Sequence, residues 1–281
     1  MKSEPILAEA EKLPVFGGRR IRPLNGLVLT GVAMGLGGIA AAAVGAMLPW
    51  GGCLAGIVVM LVAYRLLMGR HNGGIAKINE GVKLITTGDY DAAERTLVPV
   101  ATGPYTTACA TYAVYNLGTA ALRRGDVPSA ITLYRATVAL YRAQRIAGLR
   151  AGAHLARSGL AFAYACAGRL DDAERTLGEP IDVDVPQMLA SETITRALIA
   201  LRRDDPKAAL TVLDTEKRLL RSAVAGDATS LQLAIEAAAK DKLGGVFGGH
   251  ARTAARVPVD AEARAYILQA LPGCEAFLAP A

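Results

Sequence analysis

Four related stretches recur along the chain: GDYDAAERTL from Gly88 to Leu97, GDVPSAITLY from Gly125 to Tyr134, GRLDDAERTL from Gly168 to Leu177 and DDPKAALTVL from Asp204 to Leu213. Their first residues stand at 88, 125, 168 and 204, which sets intervals of 37, 43 and 36 residues. Repetition at such a period means stacked supersecondary units, because each unit has an apolar face that only its neighbour covers. In every copy a turn residue is followed five positions later by an alanine (Ala93, Ala130, Ala173, Ala209). Four positions after that comes a large side chain (Leu97, Tyr134, Leu177, Leu213). A spacing of four puts the two on one helical face. Seven positions before each turn stand Gly81, Gly118, Ala161 and Ala197, all small and all within stretches of helical composition. Small residues at matching points of two antiparallel helices let the backbones approach closely, so each unit reads as a helical hairpin.

The pattern resembles the tetratricopeptide repeat family. Leu117-Gly118 and Gly125 match the family's first-helix small position and turn, and Ala130 and Tyr134 match its second-helix small-then-large pair. The resemblance covers about residues 74–223. It implies a right-handed all-α solenoid of about four hairpin repeats. There are departures: the family's early first-helix tryptophan is absent, the tyrosine before the turn occurs only as Tyr164, and Asp204 replaces the turn glycine in the last unit. All three intervals exceed the family's usual period of about 34 residues. The 43-residue interval predicts lengthened helices around VALYRAQRIAGLRAGAHLARSGL. Beyond the repeats, Ala228–Leu243 and Asp260–Leu271 read as capping helices, the second opened by its Asp and stopped by Pro272-Gly273. GGVFGGH between them lacks the Lys and Ser/Thr of a phosphate loop and reads as a linker.

A second feature bears on location. From Pro23 to Tyr64, 42 consecutive residues include no Asp, Glu, Lys, Arg or His, and mean hydropathy over the chain is +0.31. About 20 apolar residues span a hydrocarbon layer of ~30 Å. Pro49-Trp50-Gly51-Gly52 divides the run, which predicts a transmembrane hairpin of two helices, about Leu24–Leu48 and Gly52–Leu67. Lys12, Arg19, Arg20 and Arg22 precede it, and Arg65, Arg70 and Lys77 accompany or follow it. By the positive-inside rule both termini and the repeats are then cytoplasmic, on an integral protein of a bacterial inner or plasma membrane. The expected organisation is a cytoplasmic segment 1–22, the hairpin 23–68, the repeat domain 74–223 and C-terminal helices and tail 224–281. Gly31 with Gly35, and Gly52 with Gly56, have the small-xxx-small spacing that packs membrane helices against each other or against a second copy.

The net charge of +6 comes largely from the N-terminal segment and from Arg65 and Arg70, so the repeats lack the basic footprint of a nucleic-acid binder. Cys53, Cys109, Cys166 and Cys274 have no metal-site spacing and read as small apolar residues, and His71, His154 and His250 read as isolated. No catalytic residue, metal ligand or cofactor is expected. The family resemblance implies that first helices line a concave groove, with ligand-facing positions at Ile78, Val82, Tyr115, Thr119, Ser158, Phe162, Ile194 and Leu198, and with Tyr112 and Arg123 nearby. Such a groove suits a peptide or amphipathic helix of a protein partner, although Tyr266, Ile267 and Leu268 of the C-terminal helix could fill it instead. The expected function is a membrane-anchored scaffold or adaptor. The alternative is a structural subunit of a membrane complex assembled through its hairpin.

Overall fold

The repeated turn adopts one backbone solution four times. The computed structural model describes residues 3–21, 35, 38–39, 42, 51–144, 150–178, 185–247 and 257–280. In it Gly88, Gly125 and Gly168 have φ of +76°, +94° and +75°, and Asp204 has +62°. Left-handed backbone costs an ordinary side chain, whereas glycine reaches it freely and aspartate more readily than most. In each copy the next amide (Asp89, Asp126, Arg169, Asp205) donates to the carbonyl five residues back (Leu84, Ala121, Tyr164, Ala200) at 2.9 to 3.0 Å. That bond closes the end of the first helix. The carboxylates of Asp89, Asp126 and Asp205 then accept the amides of Ala92, Ser129 and Ala208 and open the second helix. Gly-Asp is thus a helix stop and a helix start in two letters.

By compactness the chain forms two units, Met1–Leu117 and Gly118–Ala281. In the first, α1 (Ser3–Glu11) leads through a 3-10 turn (Pro14–Phe16) to a segment whose Ile21 amide donates to Glu11 Oε1 at 2.8 Å. Phe16 is buried and its turn packs against α3 (Tyr90–Thr102). The first repeat pairs α3 with the 36-residue α2 (Gly51–Thr86). At Gly81 an added Cβ would lie 2.6 Å from Leu97 Cδ2, so only glycine allows this approach. Helix α4 (Thr107–Arg124) begins in the first unit and ends in the second.

The second unit continues with α5 (Val127–Gln144), α6 (Arg150–Cys166), α7 (Leu170–Leu177), α8 (Pro186–Arg202) and α9 (Pro206–Thr215). Helix α5, at 18 residues, is the longest of the second helices, where the 43-residue interval predicts lengthening. Ala130, Ala161, Ala173, Ala197 and Ala209 have no solvent exposure. Added Cβ atoms at Gly118 and Gly159 would each lie 3.0 Å from Tyr134 Cε1, so the Tyr134 ring is wedged between positions on α4 and α6. The unit ends with α10 (Lys217–Ala223), α11 (Asp227–Phe247), β1 (Val257–Val259), α12 (Ala261–Ala270) and β2 (Leu278–Pro280).

Two local expectations change. Helix α11 runs through Gly244 to Phe247, the first half of the expected linker. The strands β1 and β2 pair in parallel, with Val257 opposite Leu278, in a region read as helix and tail. Strands of three residues containing Pro258 and Pro280 are too short to alternate legibly and look like breaks in a helix. Among the described residues the remaining elements are helices and the turns that join them.

The membrane hairpin is a larger correction. Most of the first expected span, with Gly31, lies outside the described residues, and an added Cβ at Gly35 would meet nothing within 4 Å. The second span, with Gly52 and Gly56, is the start of α2, which passes unbroken into the first repeat. From Gly51 to Arg65 there are fourteen uncharged positions, about 21 Å of helix where about 30 Å is needed. Among the described residues no helix is long and apolar enough to cross a membrane. That overturns the expected integral inner-membrane location and the orientation derived from it. Ile57, Val58, Met60, Leu61, Val62, Tyr64 and Leu66 are nevertheless 48 to 63% exposed along α2.

Candidate functional site

In the first unit the expected contact positions occupy α2 and α4. Ile78 is nearly buried, Val82 is exposed, and Tyr112 and Tyr115 are half-buried. Between them and the core α4 carries Ala110, Ala113, Val114 and Leu117, all with 1% exposure or less, so the tyrosines sit on the outer margin of the helix. The Lys77 ammonium lies 5.6 Å from the centre of the Tyr105 ring, a cation–π distance.

The same unit brings together residues that read as isolated. His71 Nδ1 lies 3.1 Å from Thr106 Oγ1 and 3.6 Å from Cys109 Sγ. The Cys109 thiol donates to the His71 carbonyl at 3.4 Å. An added Cβ at Gly74 would lie 2.7 Å from Cys109 Sγ, so this glycine admits the sulfur between α2 and α4. Burial pushes the Cys109 thiol up from its ordinary value, with the Thr106 hydrogen bond acting in the other direction. A protonated buried thiol is a poor nucleophile, so the cluster ties helices together. His71 and Cys109 are 38 positions apart, beyond the reach of spacing rules. Among the described residues no group of three or more His, Cys, Asp or Glu could hold a metal ion.

In the second unit the expected positions are Thr119 and Arg123 on α4, Ser158 and Phe162 on α6, and Ile194 and Leu198 on α8. Thr119 Oγ1 is 3.1 Å from Tyr134 Oη, which ties the first helix to the second of the same repeat. Arg123 Nη1 donates to Asp227 Oδ2 at 2.5 Å and lies 3.7 Å from Glu262 Oε1. Its guanidinium also stands 5.3 Å from the centre of the Tyr266 ring. Phe162 is 5.6 Å, centre to centre, from Tyr266 at an interplanar angle of 30°. Ser158, Phe162, Ile194 and Leu198 are all buried. Sequence reasoning named Arg123, Phe162 and Tyr266 but missed Asp227 and Glu262, which look like ordinary acidic starts of α11 and α12.

Two polar features on α6 and α8 were also missed. Arg157 and Glu192, both side chains 7% exposed, form an ion pair at 3.6 Å. Burial raises the Glu192 carboxyl above the usual range, with Arg157 and then Arg196 opposing. Close by in sequence, the Ser158 hydroxyl donates to Ser191 Oγ at 3.3 Å. Arg202 Nη1 donates to the carbonyls of Ala165 at 2.5 Å, Cys166 at 3.0 Å and Ala270 at 3.5 Å, which satisfies the ends of α6 and α12 from α8.

These features define a class: helical hairpins whose two helices meet through small buried residues. The model of the family described as tetratricopeptide repeat matches residues 111–136 and 154–179. Those stretches hold α4 with the start of α5, and α6 with α7, so the chain is similar to that family over its second and third hairpins. No curated protein and no solved structure gave a match.

Proposed function

We propose that the protein is a non-catalytic interaction scaffold, whose first helices receive a peptide or amphipathic helix of a protein partner. Repeats similar to tetratricopeptide repeats support protein binding in general. The observation that carries the finer reading is on α4, where Tyr112 and Tyr115 in the first unit, and separately Thr119 and Arg123 in the second, keep part of their surface exposed. The intervening positions are buried. Tyrosine and arginine are the residues most often found to dominate binding energy at interfaces.

The test starts with a photoreactive residue in place of Val82, to capture and identify the partner. The purified partner is then titrated against the wild-type chain and Tyr115→Glu. Loss of a central aromatic contact of about 2 kcal/mol weakens binding roughly 30-fold, with the far-UV circular dichroism unchanged. Equal affinity for both chains refutes the proposed face. Sedimentation of the captured complex shows whether the partner is a second copy of the chain.

A further inference from the structure

Helix α12 touches the first helix of three successive repeats. Arg123 of α4 meets its Glu262 and Tyr266, Phe162 of α6 meets Tyr266, and Arg202 of α8 bonds its last carbonyl, that of Ala270. Ala263, Ile267 and Ala270 form its buried stripe, at 4%, 0% and 0% exposure. Glu262 and Tyr266, four apart, form an adjoining half-buried stripe. At ten residues α12 is shorter than the roughly 12 to 15 that an isolated helix needs to be even marginal in water. It therefore holds its form through the surface beneath it. Successive first helices meeting an acidic side chain, an aromatic ring and the last backbone carbonyl describe a helix lying in a groove.

We infer that α12 is an intramolecular stand-in for the partner, an inference that rests on the first helices being the binding face. The surface accepts an amphipathic helix that offers an acidic residue to Arg123 and, one turn later, an aromatic ring to Phe162. A partner helix of that pattern binds by displacing α12. The β1–β2 pair joins the two ends of the α12 segment, so the segment leaves and returns as one piece. A tethered occupant competes at an effective concentration on the order of millimolar, which weakens a free helix of ten-micromolar intrinsic affinity about a hundredfold. Weakening the tethered contacts relieves that suppression.

The probe is a fluorescein-labelled peptide of residues 257–273, VPVDAEARAYILQALPG. Its binding is followed by anisotropy on the full chain, on Glu262→Ala/Tyr266→Ala, and on the latter with Arg123→Ala added. The two replaced side chains are half-buried, so their truncation leaves the apolar core of the unit closed. The double variant binds the peptide at least tenfold more tightly than the wild type, and Arg123→Ala reverses the gain. A peptide with alanine at the two key positions binds neither chain.

Displacement has its own readout in Cys274, which is 1% exposed and whose thiol burial pushes up to about 11. Saturating peptide speeds its alkylation by iodoacetamide at least tenfold, measured by peptide mass spectrometry. Equal peptide affinity for wild type and double variant overturns the inference, as does unchanged Cys274 labelling with peptide bound. Either result makes α12 a permanent cap and leaves the scaffold reading to the Tyr115→Glu titration, whose failure is a separate outcome.

Discussion

The Tyr134 wedge makes a prediction whose sign depends on background. Tyr134 is 2% exposed, and an added Cβ at Gly118 would stand 3.0 and 3.1 Å from two of its ring carbons. The ring cannot retreat, because Gly159 approaches it equally closely, with its own added Cβ at 3.0 Å. Carbon contacts are optimal at about 3.5 to 4.0 Å, so Gly118→Ala overpacks the site at a cost of about 1 to 3 kcal/mol. Against this, alanine in a helix interior is worth about 1 kcal/mol over glycine. In the wild type, Gly118→Ala is therefore neutral to destabilising by about 2 kcal/mol.

In a Tyr134→Leu background the opposing ring carbons are gone and only the propensity gain remains. The same substitution then stabilises by about 1 kcal/mol. Tyr134→Leu itself destabilises by about 2 to 3 kcal/mol, through lost ring volume and the lost hydroxyl contact to Thr119. The four chains are compared by urea unfolding followed by circular dichroism, with thermal midpoints as a second reading at about 2 to 4 °C per kcal/mol. A Gly118→Ala effect equal in the two backgrounds within about 0.5 kcal/mol means that the ring and the glycine do not meet, and refutes the packing argument.

Two further outcomes follow from the turns and the buried pair. Gly125→Ala, at φ of +94°, costs about 1 to 2 kcal/mol in the same unfolding assay; Asp204→Gly is better tolerated, since glycine relieves left-handed strain although Lys242 loses its 2.5 Å ion pair. Glu192 supplies a pH test. Its carboxyl is raised in the folded chain above the ordinary 4.5, so above that pH the folded state holds the proton that the unfolded state has released. Stability from this group is thus lost as pH rises through the folded value. Glu192→Gln mimics the protonated carboxyl and does not titrate, so the stability of the variant relative to wild type rises as pH rises from 4.5 to 7. A constant gap in urea unfolding across that range refutes the assignment.

Helical hairpins were legible because their determinants are local. A left-handed position, an Asp cap one residue later, and small and large residues at a spacing of four each act within a dozen residues, and they recur at 88, 125, 168 and 204. Local letters misled where they counted apolarity without length: fourteen uncharged residues at the start of α2 looked like a membrane span, yet they begin a helix that runs on into the first repeat. The candidate site was only partly readable. Tyr112, Tyr115, Thr119 and Arg123 were expected from the family resemblance laid on α4, but the partners of Arg123 were not, since Asp227 lies 104 residues away. The meeting of His71 with Cys109, the burial of Glu192 beside Arg157 and the seat of Tyr266 on Phe162 likewise depend on which helices are brought side by side. The chain alone determined where the repeat hairpins turn, because hydrogen-bond closure and backbone strain are settled between near neighbours. Only the tertiary structure decided what covers the first helices, because that is a competition among distant segments for one surface, and α12 occupies it in the second unit.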